Sequence, residues 1–362
     1  MLKAKIKRSL PGFDLDVDFS VNRELLAILG PSGSGKTMTL QCIAGLTRPD
    51  EGRIELNGKV LYDSALGVNL PPQKRKVGFV FQNYALFPHM TVSENVAYSI
   101  RQLPIAEVNR KVDYLMNIMN VVPLAGRYPR QLSAGQQQRV AIARALAPDP
   151  EVLLMDEPFS ALDSQLKERL ELELLALQDE YHGSMLLVTH DLAEGYKLGS
   201  QVAIYQSGRI AQCDTKQKVF ASPVNRTVAR LTGFRNLMDG VVARVDGPYA
   251  WVDIVAWGSP LKASVNSDSG FVPGQKVVVG IRPEYVDLKQ GEGENIFPSR
   301  ILQAVEGISS VTYRFHVQSD QQAKHYINAT ISKSNAICLE DGQTCMLHFP
   351  PENLVVIPAS NG

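Results

Sequence analysis

Gly30-Pro31-Ser32-Gly33-Ser34-Gly35-Lys36-Thr37 is the stretch on which the reading of this chain turns. It fits the pattern GxxxxGK[ST]. The glycines let the backbone curl so that successive N–H groups point at phosphate oxygens. A helix beginning near Lys36 adds the positive end of its dipole. In such a loop Lys36 reaches the β- and γ-phosphates of a nucleotide, and the Thr37 hydroxyl is a ligand for Mg²⁺. The flanks agree. Leu25–Leu29 is a compact apolar run that reads as a buried strand, and Thr37–Leu46 reads as a helix.

Outward from this loop, short apolar runs alternate with helical stretches to about residue 220. Val77–Phe81, Val152–Met155 and Met185–Thr189 read as strands, and Gln136–Leu146 and Ser164–Tyr181 as helices. That order predicts an α/β domain on a largely parallel sheet. Ile54–Asn57, followed by Gly58, predicts an antiparallel portion near the start. One strand, Val152-Leu153-Leu154-Met155, runs into Asp156 and Glu157. Two carboxylates at the end of a buried strand are costly unless cations or hydrogen bonds meet them. Asp156 is suited to hold Mg²⁺ directly or through water, and Glu157 to act as general base on an attacking water. Taken alone, the pair is a weak signal, with simple helix caps as the minor competing reading.

After about Gly233 the character changes. Seven Val- and Ile-rich runs, from Asp239–Val245 to Thr344–Phe349, are broken by Gly, Pro, Asn and Ser. They include Trp251–Ala256 and His325–Ile331. This spacing predicts an all-β, barrel-like second domain. The domains are therefore 1–233 and 234–362.

The 362 residues carry 37 Lys+Arg and 37 Asp+Glu, and no basic field points to nucleic acid. The N-terminus, MLKAKIKRSLPGF, has charges and no apolar core, so it does not read as a secretory signal. No apolar run approaches the roughly 20 residues of a spanning helix, so any membrane role is expected to be peripheral. Cys42, Cys213, Cys338 and Cys345 form no CxxC pair and read as reduced thiols of a cytosolic protein, with a Cys338–Cys345 bridge left open.

Leu132-Ser133-Ala134-Gly135-Gln136 resembles the LSGGQ signature of the ABC ATPases, and Gln137-Gln138-Arg139 extends the match. Other elements follow in the family's order over roughly residues 1–230. Gln82 matches the Q-loop glutamine, Ser160-Ala161-Leu162-Asp163 the D-loop, and His190 the switch histidine. Phe13 stands where the family places an aromatic residue against adenine; a core phenylalanine is the competing reading. The resemblance implies an ATP site made of Phe13, residues 30–37 (Gly30, Pro31, Ser32, Gly33, Ser34, Gly35, Lys36, Thr37), Thr39 and Gln82. Thr37, Gln82 and Asp156 would be the metal ligands, and Lys36, Glu157 and His190 the catalytic set. Ser133, Ala134, Gly135, Gln136 and Asp163 would act across a head-to-tail homodimer that sandwiches two ATP molecules. Ala134 departs from the usual glycine. It keeps the N–H but adds a methyl group and excludes positive φ, and it is expected to be tolerated.

The resemblance further implies a helical subdomain at about 83–150. Within it Tyr84, Leu86, Phe87 and Met90 would form a groove for a membrane subunit. The tail resembles the TOBE-type β-barrel of importer ATPases, with Gly280-Ile281-Arg282-Pro283-Glu284 close to a recurrent stretch of that domain. Leu70–Gln82 and Gly45–Pro49 look most like the molybdate and sulfate branch. The implied function is ATP hydrolysis, with Mg²⁺, by the importer subunit at the cytoplasmic face of the membrane. Its partners would be a second copy, two transmembrane permease subunits and a periplasmic or lipoprotein solute-binding protein. The implied solute is molybdate, tungstate or sulfate, with iron, polyamine or sugar as alternatives. The tail would be a regulatory domain or a passive dimerisation module. A soluble ABC ATPase without a transporter is the competing class. Its usual marks, coiled-coil insertions or two cassettes in one chain, are not found here.

Overall fold

The computed structural model describes residues 1–254, 257–265, 270–289, 291–318, 326–334 and 341–359. Cys338 lies outside them, as do the ends of two of the expected strands, at 255–256 and 325. The chain divides into two compact units, Met1–Lys216 and Gln217–Gly362.

The first unit is built on an eleven-stranded sheet. Its strands are β1 (Leu2–Leu10), β2 (Phe13–Val21), β3 (Leu25–Leu29), β4 (Glu51–Leu56), β5 (Lys59–Asp63), β6 (Val68–Asn69), β7 (Val77–Val80), β8 (Val152–Asp156), β9 (Ser184–Thr189), β10 (Gln201–Gln206) and β11 (Arg209–Thr215). They lie in the order β6-β5-β4-β1-β2-β11-β10-β3-β9-β8-β7. From β10 to β7 every neighbouring pair is parallel. These strands read as unbroken apolar runs because both faces are covered, and all residues of β3, β8 and β9 are buried. β1 and β2 obey the other pattern. Leu2, Ala4 and Ile6 point inward while Lys3, Lys5 and Lys7 stay in water, the period-two alternation of an antiparallel pair.

The helices are α1 (Lys36–Ala44), α2 (Val92–Ala97), α3 (Ile105–Ile118), α4 (Ala134–Leu146), α5 (Ser164–Glu180) and α6 (Leu192–Leu198). α2, α3 and α4 all fall between β7 and β8, the segment expected to be helical. Register fixes what happens next. Leu29 pairs with Thr189, Asp156 with Val188, and Val80 with Met155. The residues following β3, β9, β8 and β7 therefore emerge along one edge of the sheet. The carboxyl edge of parallel strands is where open α/β sheets bind ligands.

The second unit holds α7 (Lys216–Ala221), α8 (Arg226–Leu231) and two five-stranded antiparallel sheets. One comprises β12 (Asn236–Asp246), β13 (Tyr249–Ile254), β14 (Leu261–Ser264), β15 (Lys276–Ile281) and β21 (Val355–Pro358). The other comprises β16 (Asp287–Lys289), β17 (Ile296–Glu306), β18 (Ser310–Val317), β19 (Tyr326–Ser332) and β20 (Thr344–His348). A single core draws on both, with Val279, Trp257, Phe297, Phe315, Ile327 and Phe349 among its members. Buried Asn236 ties them together. Its amide donates to Asn328 O at 2.8 Å and accepts from Asn328 N at 2.8 Å. This is the all-β, barrel-like domain expected.

The compact units divide at 216/217, whereas the composition shift suggested 233. Residues 217–233 group with the β domain for a physical reason. Arg282 donates to the carbonyls of Phe220 and Thr232, at 2.6 and 3.0 Å, and its guanidinium lies 4.5 Å from the Phe234 ring centre. Ala229 and Phe234 bury against Val278 and Ile357. The Gly280–Glu284 stretch therefore carries a clamp for two helix ends.

Candidate functional site

The loop between β3 and α1 turns back through Gly30, Gly33 and Gly35, at φ 158°, 78° and 99°. A Cβ on Gly30 would lie 2.6 Å from Tyr205 O, so space as well as conformation requires glycine there. Lys36, the first residue of α1, is 5% exposed and donates from Nζ to Gly30 O at 2.8 Å and Pro31 O at 2.9 Å. Burial pulls the Lys36 ammonium below its ordinary pKa, and the carboxylates of Glu157 and Asp156 oppose that shift.

Thr37 Oγ1 donates to Asp156 Oδ1 at 2.9 Å. Burial raises the pKa of Asp156; the Thr37 hydroxyl opposes this, neighbouring Glu157 adds to it, and Lys36 opposes it. A hydroxyl and a costly buried carboxylate side by side make a hard-oxygen pair of the kind Mg²⁺ takes. The next residue, Glu157, has φ 44°, a left-handed conformation that non-glycine residues seldom adopt. It is held by its own N–H to Val188 O at 3.0 Å and by Ser160, whose hydroxyl donates to Glu157 O at 3.0 Å. Strain of this kind persists where surroundings over-determine it, and it gathers at functional sites. The turn swings the carboxylate toward His190 Nδ1, 3.2 Å from Glu157 Oε2, and Gln82 Nε2, 3.4 Å from the same oxygen.

The structure thus brings together Lys36, Thr37, Gln82, Asp156, Glu157 and His190, from four strand ends. Phe13 opens β2 beside them. Its Cζ lies 3.0 Å from where a Cβ on Gly35 would be, so the ring flanks the loop even as it packs on the core. Thr39 departs from expectation. It is fully buried, and its hydroxyl donates to Gly35 O at 3.0 Å, so it braces the loop from inside and does not face a ligand. Ser34 is also buried, and its Oγ has no partner.

Ser133 caps α4 and Ala134, Gly135 and Gln136 form its first turn, on a different element from each residue of the cluster. Ser133 and Gln136 make a reciprocal capping box. Ala134 sits in the first helical turn, outside the positive-φ residues, so the departure from glycine meets no conformational bar. Gly135 is the tighter position, since a Cβ would come within 2.5 Å of Leu166 Cδ2 of α5 and the half-buried Leu166 side chain would have to turn aside. Arg139 makes a two-pronged bond to Glu173, fastening α4 along α5. Asp163 caps α5 through Leu166 N at 3.0 Å.

Among the described residues, no helix is long and apolar enough to cross a membrane. The sequence profile of the ABC transporter family matches residues 15–160. The sulfate/thiosulfate import ATP-binding protein CysA of Mycobacterium tuberculosis is 46% identical over 231 residues, 63% of this chain and 64% of that protein. The spermidine/putrescine import ATP-binding protein PotA of Nitratidesulfovibrio vulgaris is 42% identical, covering 76% of this chain and 72% of its own length. PotA of Pseudomonas fluorescens is 34% identical over 94% of this chain and 92% of its own. Among solved structures, a dimeric ATP-binding cassette in a post-hydrolysis state with ADP and Pi superposes with a TM-score of 0.52 at 30% identity. It covers 60% of this chain and 99% of that one.

Proposed function

The chain belongs to the ABC transporter family, and from that premise we propose that it is the ATP-hydrolysing subunit of an importer. The observation that carries this is the convergence of Lys36, Thr37, Asp156, Glu157 and His190 on one edge of the parallel sheet. Each holds a group suited to one part of phosphoryl transfer to water. Lys36 is tethered by two neutral carbonyls. Exchanging these for phosphate oxygens replaces ordinary hydrogen bonds with charge-assisted ones. Thr37 and Asp156 would hold Mg²⁺, with Gln82 within reach of the site. When bound, the ion neutralises charge on the phosphates. Glu157 accepts a proton as the water oxygen bonds to the terminal phosphorus and the bridging P–O bond breaks. His190 holds Glu157 in place and can donate to the phosphate. Phe13 offers a ring face to adenine.

One phosphate loop and one signature per chain, with the signature on a different element from the cluster, favour a homodimer in which Ser133, Gly135 and Asp163 complete the partner's site. A dimeric cassette among the structural relatives supports this. The expected partners are two permease subunits, reached through the α2–α4 region, and a solute-binding protein. The subunit would lie peripherally on the membrane.

For the solute we favour an oxyanion such as sulfate, molybdate or tungstate, with polyamine as the second reading. Relatives at similar identity are named for sulfate and for spermidine/putrescine. The text that suggested the oxyanion branch is structural in this fold. Arg75 lies under Gly45 and donates to Cys42 O, Ile43 O, Leu70 O and Asn69 Oδ1. Uptake of labelled sulfate, molybdate and spermidine by cells with and without this gene tests the choice. Loss confined to spermidine overturns the oxyanion reading, and unchanged uptake of these three and of labelled iron and sugars, with normal ATP turnover, overturns the importer assignment.

A further inference from the structure

Behind His190 lies a group of charged side chains that the site described above does not use. His190 stands between Thr189, the last residue of β9, and Asp191, the N-cap of α6. Its own side chain is 62% exposed, so packing does little to orient it. The flanking residues are tightly held. Thr189 Oγ1 accepts from Asp191 N at 3.0 Å and donates to Glu194 Oε2. Glu194 is 5% exposed. Lys167 of α5 brings one ammonium to both carboxylates, 2.6 Å from Glu194 Oε1 and paired with Asp191 Oδ2. The same side chain lines a cavity of about 120 Å³ that Glu157, Ser160 and His190 also line. Lys167 is one helical turn from the D-loop, and its N–H donates to Asp163 O at 2.9 Å.

We propose that Lys167 is a positioning residue for ATP hydrolysis. By bonding Asp191 and Glu194 together it fixes the peptide that carries His190. The imidazole then keeps its contact with Glu157, in register with the Ser160–Asp163 segment at the head of α5. Without the ammonium, two carboxylates on one helical turn repel each other, and Glu194 is left as an unpaired buried charge. Glu194 accepts from Thr189 on one side of His190, and Asp191 is joined to it on the other, so their relaxation displaces it. The helices themselves have a second tie, because Glu171 of α5 pairs with Lys197 of α6 at 2.8 Å. Lys167 is therefore not what keeps α5 and α6 together.

This inference rests on the reading of the site as an ATP hydrolase, and the test separates the two. Steady-state turnover of Mg-ATP is measured on the full chain carrying Lys167→Met, Lys167→Arg, His190→Ala and the double variants. A misplacement near 1 Å is enough for losses of about 100-fold, so Lys167→Met should lower kcat at least ~10-fold. KM should stay within about twofold, and Lys167→Arg should retain most activity. In the His190→Ala background, Lys167→Met should change the residual rate by less than about twofold, because the residue acts through His190. Equal fold losses in both backgrounds, or an unchanged kcat, overturn the proposal. Wild-type turnover by His190→Ala alone instead overturns the reading of the site. Should Lys167→Met fail to fold, Asp191→Asn removes one arm of the same clamp while keeping the α6 cap. The same dependence on His190 is expected of it, and additivity overturns the proposal equally.

Discussion

Thr37 and Asp156 are 119 positions apart in the chain, yet the Thr37 hydroxyl donates to Asp156 Oδ1 at 2.9 Å. Neither residue alone marks a cation site. Parallel register between β8 and β9 and between β9 and β3 brings them together.

Asp156→Asn keeps the size of the side chain and an acceptor for Thr37 while removing the charge. The Mg²⁺ concentration for half-maximal turnover should rise by at least ~10-fold. Stability should move the other way. Burial raises the folded-state pKa of Asp156, so its ionised form costs stability once pH exceeds the unfolded-state value. Without Mg²⁺ at neutral pH, the variant should melt at a higher temperature than the parent. A lower Tm together with an unchanged Mg²⁺ requirement would exclude Asp156 from the metal site.

Glu157→Gln removes the base and keeps the shape. Turnover should fall by about 100- to 10,000-fold while ATP still binds. With ATP and Mg²⁺ the variant should elute as a dimer in size-exclusion chromatography. A strictly monomeric profile at high protein and ATP concentration would count against the head-to-tail arrangement.

The signature makes opposite predictions at adjacent positions. Ala134→Gly puts glycine in a first helical turn that does not need it, so it should cost about 0.5–1 kcal/mol or less and leave turnover near normal. Gly135→Ala drives a methyl group into Leu166. Leu166 must turn aside to make room, at a cost of up to about 1–3 kcal/mol, lowering both Tm and turnover. Equal tolerance at both positions would mean the α4–α5 contact is looser than described.

Arg75 is 1% exposed and bonds only to neutral acceptors. Arg75→Leu leaves the Cys42, Ile43 and Leu70 carbonyls without its donors. Cys42 O still accepts from Gly45 N, so two groups lose their donor, and at about 1–3 kcal/mol for each the loss in urea unfolding should be at least about 2 kcal/mol. A loss under about 1 kcal/mol would show that water replaces the guanidinium easily.

Much of the first unit was legible because its signals are local. The apolar run Leu25–Leu29, the glycines of residues 30–35 and the two carboxylates after Met155 each declare a strand end or a turn through near neighbours. The alternation of Leu2, Ala4 and Ile6 with lysines is equally local and marks β1. The division at 216/217 was not legible, because residues 217–233 join the β domain through Arg282 and Phe234, far along the chain.

By itself the sequence determined the phosphate loop, the strand and helix that flank it, and the residue types able to handle phosphate, metal and water. Tertiary structure alone decided how these are used. It buried Thr39 behind the loop it was expected to face. It turned Glu157 to a positive φ, placed Gly135 against Leu166, and set Lys167 between Asp191 and Glu194. Periodicity and turn chemistry act over a few residues and leave a trace in the text. Contacts between segments tens of residues apart depend on sheet register and helix packing, and no single segment carries that information.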